Sequence, residues 1–225
     1  MPVNIQQYQS IIQTLTEKKV TLVAVSKTKP VEDIQELYDL GQRNFGENYV
    51  QELVDKEAAL PKDILWHFIG HLQTNKVKYI APFVYLIHGV DSLKLLHEIN
   101  KQAKKNNRVI NCLLQIHIAQ EETKFGFDGG ELINVKENLA DLSNINICGV
   151  MGMASFSENT ELLQSEFNYL QQIYQSIQTW EQPNCMHPSI VSMGMSSDYL
   201  LAIDCGSTMV RIGSLLFGAR NYTAS

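Results

Sequence analysis

The stretch that decides the fold of this chain is Thr21-Leu22-Val23-Ala24-Val25-Ser26-Lys27. Its apolar and β-branched residues are typical of a buried β-strand, and the run ends on a primary amine. A second run of this kind, Met209-Val210-Arg211-Ile212, is followed by Gly213 and Ser214. If both runs are strands of one closed parallel sheet, closure brings the amine and the glycine-containing turn to the same mouth. The two stretches therefore predict a site that combines an amine with an anion-binding turn.

Short apolar runs of this type alternate with longer segments of helical period along the whole chain, which predicts eight βα units. The predicted strands cover residues 21–26, 43–46, 65–69, 84–88, 110–118, 147–151, 189–193 and 209–212. Nearly continuous apolar strands are typical of a parallel sheet covered by helices. Right-handed crossovers repeated eight times close into a (β/α)8, TIM-like barrel of the α/β class. An open doubly wound sheet is the alternative.

Three segments between the strands carry helix signals. Pro30 suits the start of a helix, and Gly41 suits its end. The side chains of Asp91 and Ser92 can cap a helix that begins directly after them and turns Leu96, Ile99 and Ala103 inward. Apolar residues recur at steps of four and three over residues 163–177, which predicts a long helix with one face toward the core.

Length and composition bound the class of protein. With 44% hydrophobic residues and no linker-like segment, residues 1–225 are predicted to form a single domain. The net charge of −6, without a basic stripe, argues against nucleic acid as a partner. No signal peptide and no apolar run of about 20 residues is found, so a soluble cytoplasmic protein without a membrane span is expected. The scattered Cys112, Cys148, Cys185 and Cys205 are expected to be buried thiols in a reducing compartment.

The candidate site lies at the strand ends, because a (β/α)8 barrel gathers its reacting groups there and often holds phosphate after strands 7 and 8. Lys27 follows strand 1, and burial there would lower the pKa of its amine and make it nucleophilic toward an aldehyde. A solvated surface lysine is the commoner alternative. The small residues over 192–198, followed by Gly213 and Ser214 after strand 8, offer backbone N–H groups that can hold a phosphate.

Arg211 lies within the last strand, where a charge needs a partner. Its partner is either a carboxylate, in a structural ion pair, or the nitrogen of a pyridoxal ring in the barrel mouth. An always-protonated donor at that nitrogen limits the ring as an electron sink. His67 is expected to be a satisfied core residue, and no histidine spacing suits a metal, so no metal is predicted.

Five ordered motifs closely resemble those of the pyridoxal phosphate homeostasis proteins. They are AVSKTKP at 24–30, FGENYVQE at 45–52, WHFIGHLQTNK at 66–76, SMGMS at 192–196 and GSTMVRIG at 206–213. The similarity runs from residue 24 to residue 218. One departure is His117, which stands where family members usually carry asparagine.

The resemblance implies a fold-type III barrel, like the N-terminal domain of alanine racemase, with pyridoxal 5'-phosphate (PLP) held on Lys27 as an internal aldimine. It also implies that Arg211 faces the pyridine nitrogen and that Asn48 lines the ring pocket. The phosphate would be held by Ser192, Gly213 and Ser214, while Met193 and Gly194 shape the turn.

The function implied by the resemblance is PLP (vitamin B6) homeostasis by a carrier that has no catalytic residues. PLP is the expected ligand, and amino acids and PLP-dependent apoenzymes are further expected partners. One alternative is an amino-acid racemase, but the chain ends at Ser225 without the second domain that alanine racemase uses, which also favours a monomer. Another is an aldolase that handles a sugar phosphate with Lys27.

Overall fold

The strands close into a parallel barrel in the order in which they occur along the chain. The computed structural model describes residues 3–121, 125–180 and 185–218. Its strands are β1 Thr21–Val25, β2 Asn44–Glu47, β3 Leu65–Phe68, β4 Leu86–Val90, β5 Ile110–Ile116, β6 Ile145–Gly152, β7 Met186–Ser192 and β8 Met209–Ile212. The (β/α)8 prediction is therefore confirmed, and the open-sheet alternative is wrong.

The barrel is closed by pairing between β1 and β8. Leu22 is in register with Val210, and Val23 is in register with Arg211. Because parallel strands in register end at the same level, the turn after β1 lies beside the turn after β8. This closure brings Lys27 and Gly213 to one mouth of the barrel.

Helices cover the outside of the barrel. They are α1 Ile5–Lys18, α2 Val31–Asp39, α3 Val50–Ala59, α4 Val77–Ile80, α5 Leu93–Lys105, α6 Gly129–Asn138, α7 Thr160–Gln178, α8 Tyr199–Asp204 and α9 Ser214–Phe217. The helix signals at Pro30, at Ser92 and over residues 163–177 correspond to α2, α5 and α7. Short 3-10 turns occur at Thr74–Lys76 and Leu139–Asp141.

The N-terminal helix α1 was not predicted from the sequence. Asn4 caps it, and the backbone N–H of Asn4 donates to the carbonyl of Leu216 at 2.8 Å. Tyr8, Ile11 and Leu15 of α1 are buried. The helix is thereby tied to α9, next to the mouth where β8 ends.

Four strands have a boundary that differs from the predicted one by two or three residues, among them β6, which was predicted at 147–151 and begins at Ile145. The strand predicted at 84–88 is β4, Leu86–Val90, and it continues through Gly89. A Cβ atom on Gly89 would lie 2.6 Å from the carbonyl oxygen of Gly70, so glycine permits close contact between neighbouring segments here. The strand predicted at 110–118 ends at Ile116, and the one predicted at 189–193 begins at Met186.

The core has two parts. Most buried apolar residues lie in one cluster that contains side chains of both strands and helices, and a smaller cluster is drawn from the strands alone. That smaller cluster consists of Val23, Leu86, Leu113, Cys148, Met151 and Met209. In the described part of the chain, no helix is both long and apolar enough to cross a membrane. Of the thiols, those of Cys112, Cys148 and Cys185 are buried, and that of Cys205 is partly buried.

We expect the Ser92→Ala substitution to lower the free energy of unfolding by about 1 kcal/mol. The Ser92 hydroxyl accepts a hydrogen bond from the backbone N–H of Leu95 at 3.3 Å and so caps α5. Urea denaturation measures the change. The control is Ser165→Ala on the exposed face of α7, which should change stability by less than about 0.5 kcal/mol. Equal losses in the two variants would contradict the capping role.

Candidate cofactor-binding site

A cavity of about 530 Å³ opens at the mouth of the barrel, a volume in the range of small-molecule sites. Five residues of the predicted site line it: Lys27, Asn48, Arg211, Gly213 and Ser214. They come from the ends of β1, β2 and β8. Further lining residues are Val25, Lys29, Ile69, Met153, Phe156, Met195, Ser196, Ser197 and Gly218.

The other three predicted residues, Ser192, Met193 and Gly194, are buried beside the cavity and do not line it. The Ser192 hydroxyl accepts from Arg211 Nη1 at 2.7 Å and lies 3.1 Å from His88 Nδ1, inside the barrel. The assignment of Ser192 to phosphate stays a prediction that this geometry does not support. The reason is that its side chain points to the interior, whereas Ser196 and Ser197 of the same loop reach the cavity.

The loop after β7 needs a glycine at position 194. Its φ is +92°, and a Cβ atom there would lie 2.6 Å from the Cβ of Ala202 in α8. A side chain at this position would therefore combine an unfavourable backbone conformation with a clash. Glycine allows the chain to turn sharply from β7 toward Ser196 and Ser197.

The turn that carries Lys27 is held by two carboxylates. The Ser26 hydroxyl donates to Glu47 Oε1 at 2.6 Å, and the backbone N–H of Thr28 donates to Glu52 Oε1 at 2.6 Å. Thr28 has a φ of +63°, an unusual conformation for a β-branched residue. These bonds fix the backbone on both sides of Lys27.

A buried ammonium joins the two carboxylates. Lys56 Nζ lies 2.8 Å from Glu47 Oε1, 2.6 Å from Glu52 Oε1 and 2.8 Å from the carbonyl oxygen of Ser26. The Glu47 side chain is fully buried, which raises the pKa of its carboxyl, while the charge and hydrogen bond of Lys56 act in the opposite direction. Sequence reasoning missed Lys56, because Glu52 and Lys56 have the i,i+4 spacing of an ordinary surface pair.

The turn after β8 supplies further hydrogen-bonding groups beside the turn after β1. Gly213 immediately precedes α9, and its N–H donates to Ser196 Oγ at 3.3 Å. A Cβ atom on Gly213 would lie 3.1 Å from the carbonyl oxygen of Val25 in β1. At the start of α9 the N–H groups of Leu216 and Phe217 both donate to the carbonyl of Gly213, at 3.0 and 2.9 Å. Among the described residues, the N–H groups of Ser214 and Leu215 are therefore the ones suited to an anion.

Arg211 is buried and is held by neutral oxygen atoms. Its Nη1 donates to the carbonyl oxygen and the hydroxyl of Ser192 at 2.8 and 2.7 Å, and its Nη2 donates to the carbonyl of Gly152 at 3.1 Å. Burial lowers the pKa of the guanidinium to about 10. In the described part of the chain, no ion pair joins Arg211 to a carboxylate. The carboxylate partner considered for Arg211 from the sequence is therefore not found there.

The side-chain oxygen of Asn48 is a buried hydrogen-bond acceptor at the cavity wall. Asn48 lines the cavity, and its Oδ1 has no hydrogen-bond partner among residues 3–121, 125–180 and 185–218. A buried polar atom without a partner costs free energy, and at a cavity wall it indicates a ligand position. This observation supports the sequence-based assignment of Asn48 to the pocket.

Two histidines inside the barrel contact each other. His67 Nδ1 lies 2.9 Å from His88 Nε2, and His67 Nε2 lies 3.0 Å from Asn44 Oδ1. Burial lowers the pKa of His67 to about 3 and that of His88 well below its usual value. His67 is therefore a hydrogen-bonded core residue, as predicted. Sequence reasoning missed the role of His88, although a histidine within the apolar run 84–88 was a signal for it.

His117, which stands where family members usually carry asparagine, does not line the cavity. His117 Nε2 lies 3.0 Å from the carbonyl oxygen of Glu121, and His117 is not among the lining residues. Residues 122–124 of the loop after β5 lie outside the described residues. No group of three metal-ligating side chains is found in the part of the chain that the structure describes.

Comparison with known proteins places this chain first in a broad class and then in a particular family. Residues 4–221 match the family described as alanine racemase, N-terminal domain, and the chain belongs to this class. Within the class, it is 43% identical over 202 residues to the pyridoxal phosphate homeostasis protein of Aquifex aeolicus, which covers 89% of this chain and 87% of that one. The protein is thus a member of the pyridoxal phosphate homeostasis protein family.

Solved structures agree with this assignment. PipY of Synechococcus elongatus, with PLP bound, superposes with a TM-score of 0.85 at 34% identity and covers 95% of this chain and 99% of its own. The alanine racemase of Bartonella henselae, which carries covalently bound pyridoxal phosphate, has a TM-score of 0.71 at 17% identity. It covers 95% of this chain and 59% of its own, and at that identity it shows the fold alone.

Proposed function

We propose that this protein binds PLP in the cavity at the barrel mouth and serves PLP homeostasis as a non-catalytic carrier. The observation that carries the proposal is that Lys27, Asn48, Arg211, Gly213 and Ser214 line one cavity. PipY, a relative that is 34% identical, is known with PLP bound. The fold, the family and the cavity therefore support the same ligand.

The groups that line the cavity fit the chemistry of PLP. When bound, the cofactor supplies an aldehyde carbon that forms a C=N bond with the Lys27 amine, while the aldehyde oxygen leaves as water. Arg211 offers N–H donors to an unprotonated ring nitrogen. Asn48 Oδ1 accepts a hydrogen bond, and the turn at Gly213 and Ser214 holds the anionic group.

The side chains of the cavity argue against racemisation as the main function. A racemase needs an acid or base group on each face of the substrate carbon. In the described residues, the lining of the cavity contains two amines and a guanidinium but no carboxyl, imidazole, thiol or phenol. The second amine, Lys29 Nζ, donates to the carbonyl of Phe217 at 2.7 Å.

The mouth of the cavity is open to amines and larger partners. Ser197 and Ser214 are exposed, and Phe156 at its edge is 98% exposed. We propose that amino acids and PLP-dependent apoenzymes reach the bound cofactor through this opening.

The test is to mix the purified protein with PLP, record the visible absorbance, reduce with borohydride and map the modified peptide. We expect a yellow protein with the cofactor fixed to Lys27 and no sustained alanine racemisation or transamination. Sustained turnover would refute the carrier role and favour the racemase. A colourless protein that binds sugar phosphates would refute PLP binding and favour the aldolase.

A further inference from the structure

A chain of hydrogen bonds crosses the barrel interior and ends on Arg211. It runs from Asn44 Oδ1 to His67 Nε2 at 3.0 Å, and from His67 Nδ1 to His88 Nε2 at 2.9 Å. It continues from His88 Nδ1 to Ser192 Oγ at 3.1 Å and from Ser192 Oγ to Arg211 Nη1 at 2.7 Å. The four linked residues come from β2, β3, β4 and β7, and Arg211 comes from β8.

The donor at one end decides the direction of every bond in the chain. A guanidinium can only donate, so Ser192 Oγ accepts from Arg211. Among the described residues, His88 Nδ1 is the acceptor left for the Ser192 hydroxyl hydrogen. His88 therefore carries its proton on Nε2 and donates to His67 Nδ1.

The same logic extends to the far end of the chain. Since His67 Nδ1 accepts, His67 carries its proton on Nε2 and donates to Asn44 Oδ1. Burial lowers the pKa of both imidazoles, so both rings are neutral with the proton on Nε2. Every link in the chain is then satisfied by one donor and one acceptor.

We infer that Asn44, His67, His88 and Ser192 are positioning residues that orient the Arg211 guanidinium with neutral groups, so that its remaining N–H groups select a ligand with an unprotonated ring nitrogen. The inference rests on the proposed function, in which a pyridine ring occupies the cavity. The Ser192 and Gly152 oxygens use three of the five N–H groups of Arg211. Among the described residues no carboxylate forms an ion pair with Arg211, although the charge of Asp198 acts on it from a distance. Arg211 lines the cavity, so its remaining N–H groups are available there as charged donors.

The first test uses the protein without any ligand, so it does not depend on PLP binding. Long-range proton–nitrogen NMR of labelled histidine reports the tautomer and charge of each ring. We expect His67 and His88 to be neutral and protonated on Nε2 throughout the pH range in which the protein is folded. A proton on Nδ1 of either ring, or a charged ring at neutral pH, would overturn the inference.

The second test compares the affinity of PLP with that of its N1-methylated form, which offers no acceptor at the ring nitrogen. The wild-type protein should prefer PLP, and we expect His88→Phe to reduce this preference by about tenfold, the effect of losing a hydrogen bond to a charged donor. His88→Gln, which supplies both an acceptor and a donor, should retain more of the preference. A wild-type ratio in folded His88→Phe would overturn the inference.

The matched control is Leu86→Val, two residues earlier in β4 and also within the barrel interior. It should lower the melting temperature but keep the wild-type preference for PLP, since it touches packing and not the hydrogen-bonded chain. If His88→Phe does not fold, the same comparison is made with His67→Phe, for which we expect a reduced preference; an unchanged ratio overturns the inference. Failure of the wild-type protein to bind PLP would refute the proposed function instead.

Discussion

Replacing Lys27 with alanine is expected to remove all borohydride-stable PLP from the protein. Lys27 lies two residues after β1 and lines the cavity, and the pairing of β1 with β8 brings it to the same mouth as Gly213. Alanine has no nitrogen to attack the aldehyde, so covalent attachment is lost while the phosphate and ring contacts stay in place. Intact mass after reduction and the visible absorbance both measure the change.

The matched control for this substitution is Lys29→Ala. Lys29 lines the same cavity two residues later, but its Nζ donates to the carbonyl of Phe217 at 2.7 Å. The control should keep a full equivalent of attached cofactor at saturating PLP. If Lys27→Ala still shows one equivalent of reduced adduct, or if Lys29→Ala loses it, then Lys27 is not the attachment point.

The Lys56→Met substitution is expected to lower the free energy of unfolding by about 3 to 5 kcal/mol, because it leaves the buried carboxylate of Glu47 without its positively charged partner. Lys56 contacts Glu47, Glu52 and the Ser26 carbonyl, and it is only 6% exposed. The methionine side chain keeps much of the volume but none of the charge. Urea denaturation at constant pH measures the loss.

The loss should also depend on pH in a defined direction. Burial raises the pKa of the Glu47 carboxyl above its ordinary value, and Lys56 opposes that shift. A raised folded-state pKa means that stability is present below the unfolded-state pKa and is lost as the pH rises through the folded-state pKa. Without Lys56 the folded-state pKa rises further, so the variant should lose more stability than the wild type between about pH 5 and pH 8.

An exposed lysine–glutamate pair supplies the control. Lys62 Nζ lies 2.8 Å from Glu57 Oε1, the same distance as between Lys56 and Glu47, but the Lys62 side chain is 64% exposed. The Lys62→Met substitution should cost less than about 1 kcal/mol and show little pH dependence. Equal costs for the two substitutions would show that burial of the Glu47 and Lys56 pair has no special effect.

Some features of this protein follow from the sequence alone. The apolar composition of runs such as 21–26 and 209–212 identified all eight strands, because strand formation depends on local composition and period. Their number and spacing predicted the barrel, and strand order in a barrel then placed Lys27 near Gly213 and Ser214. The motifs around these residues were sufficient to indicate the family and its ligand.

Other features were decided only by the tertiary structure. Ser192 contacts Arg211 and His88 inside the barrel because it is still within β7, whereas Ser196 and Ser197 lie in the loop beyond the strand and line the cavity. The burial of Lys56 depends on how α3 packs against the turn after β1, and its spacing from Glu52 gave no sign of it. The contacts of His67 with His88 and of Ser192 with Arg211 join residues 21 and 19 positions apart. Local periodicity cannot specify such partners, because they meet only when the barrel closes.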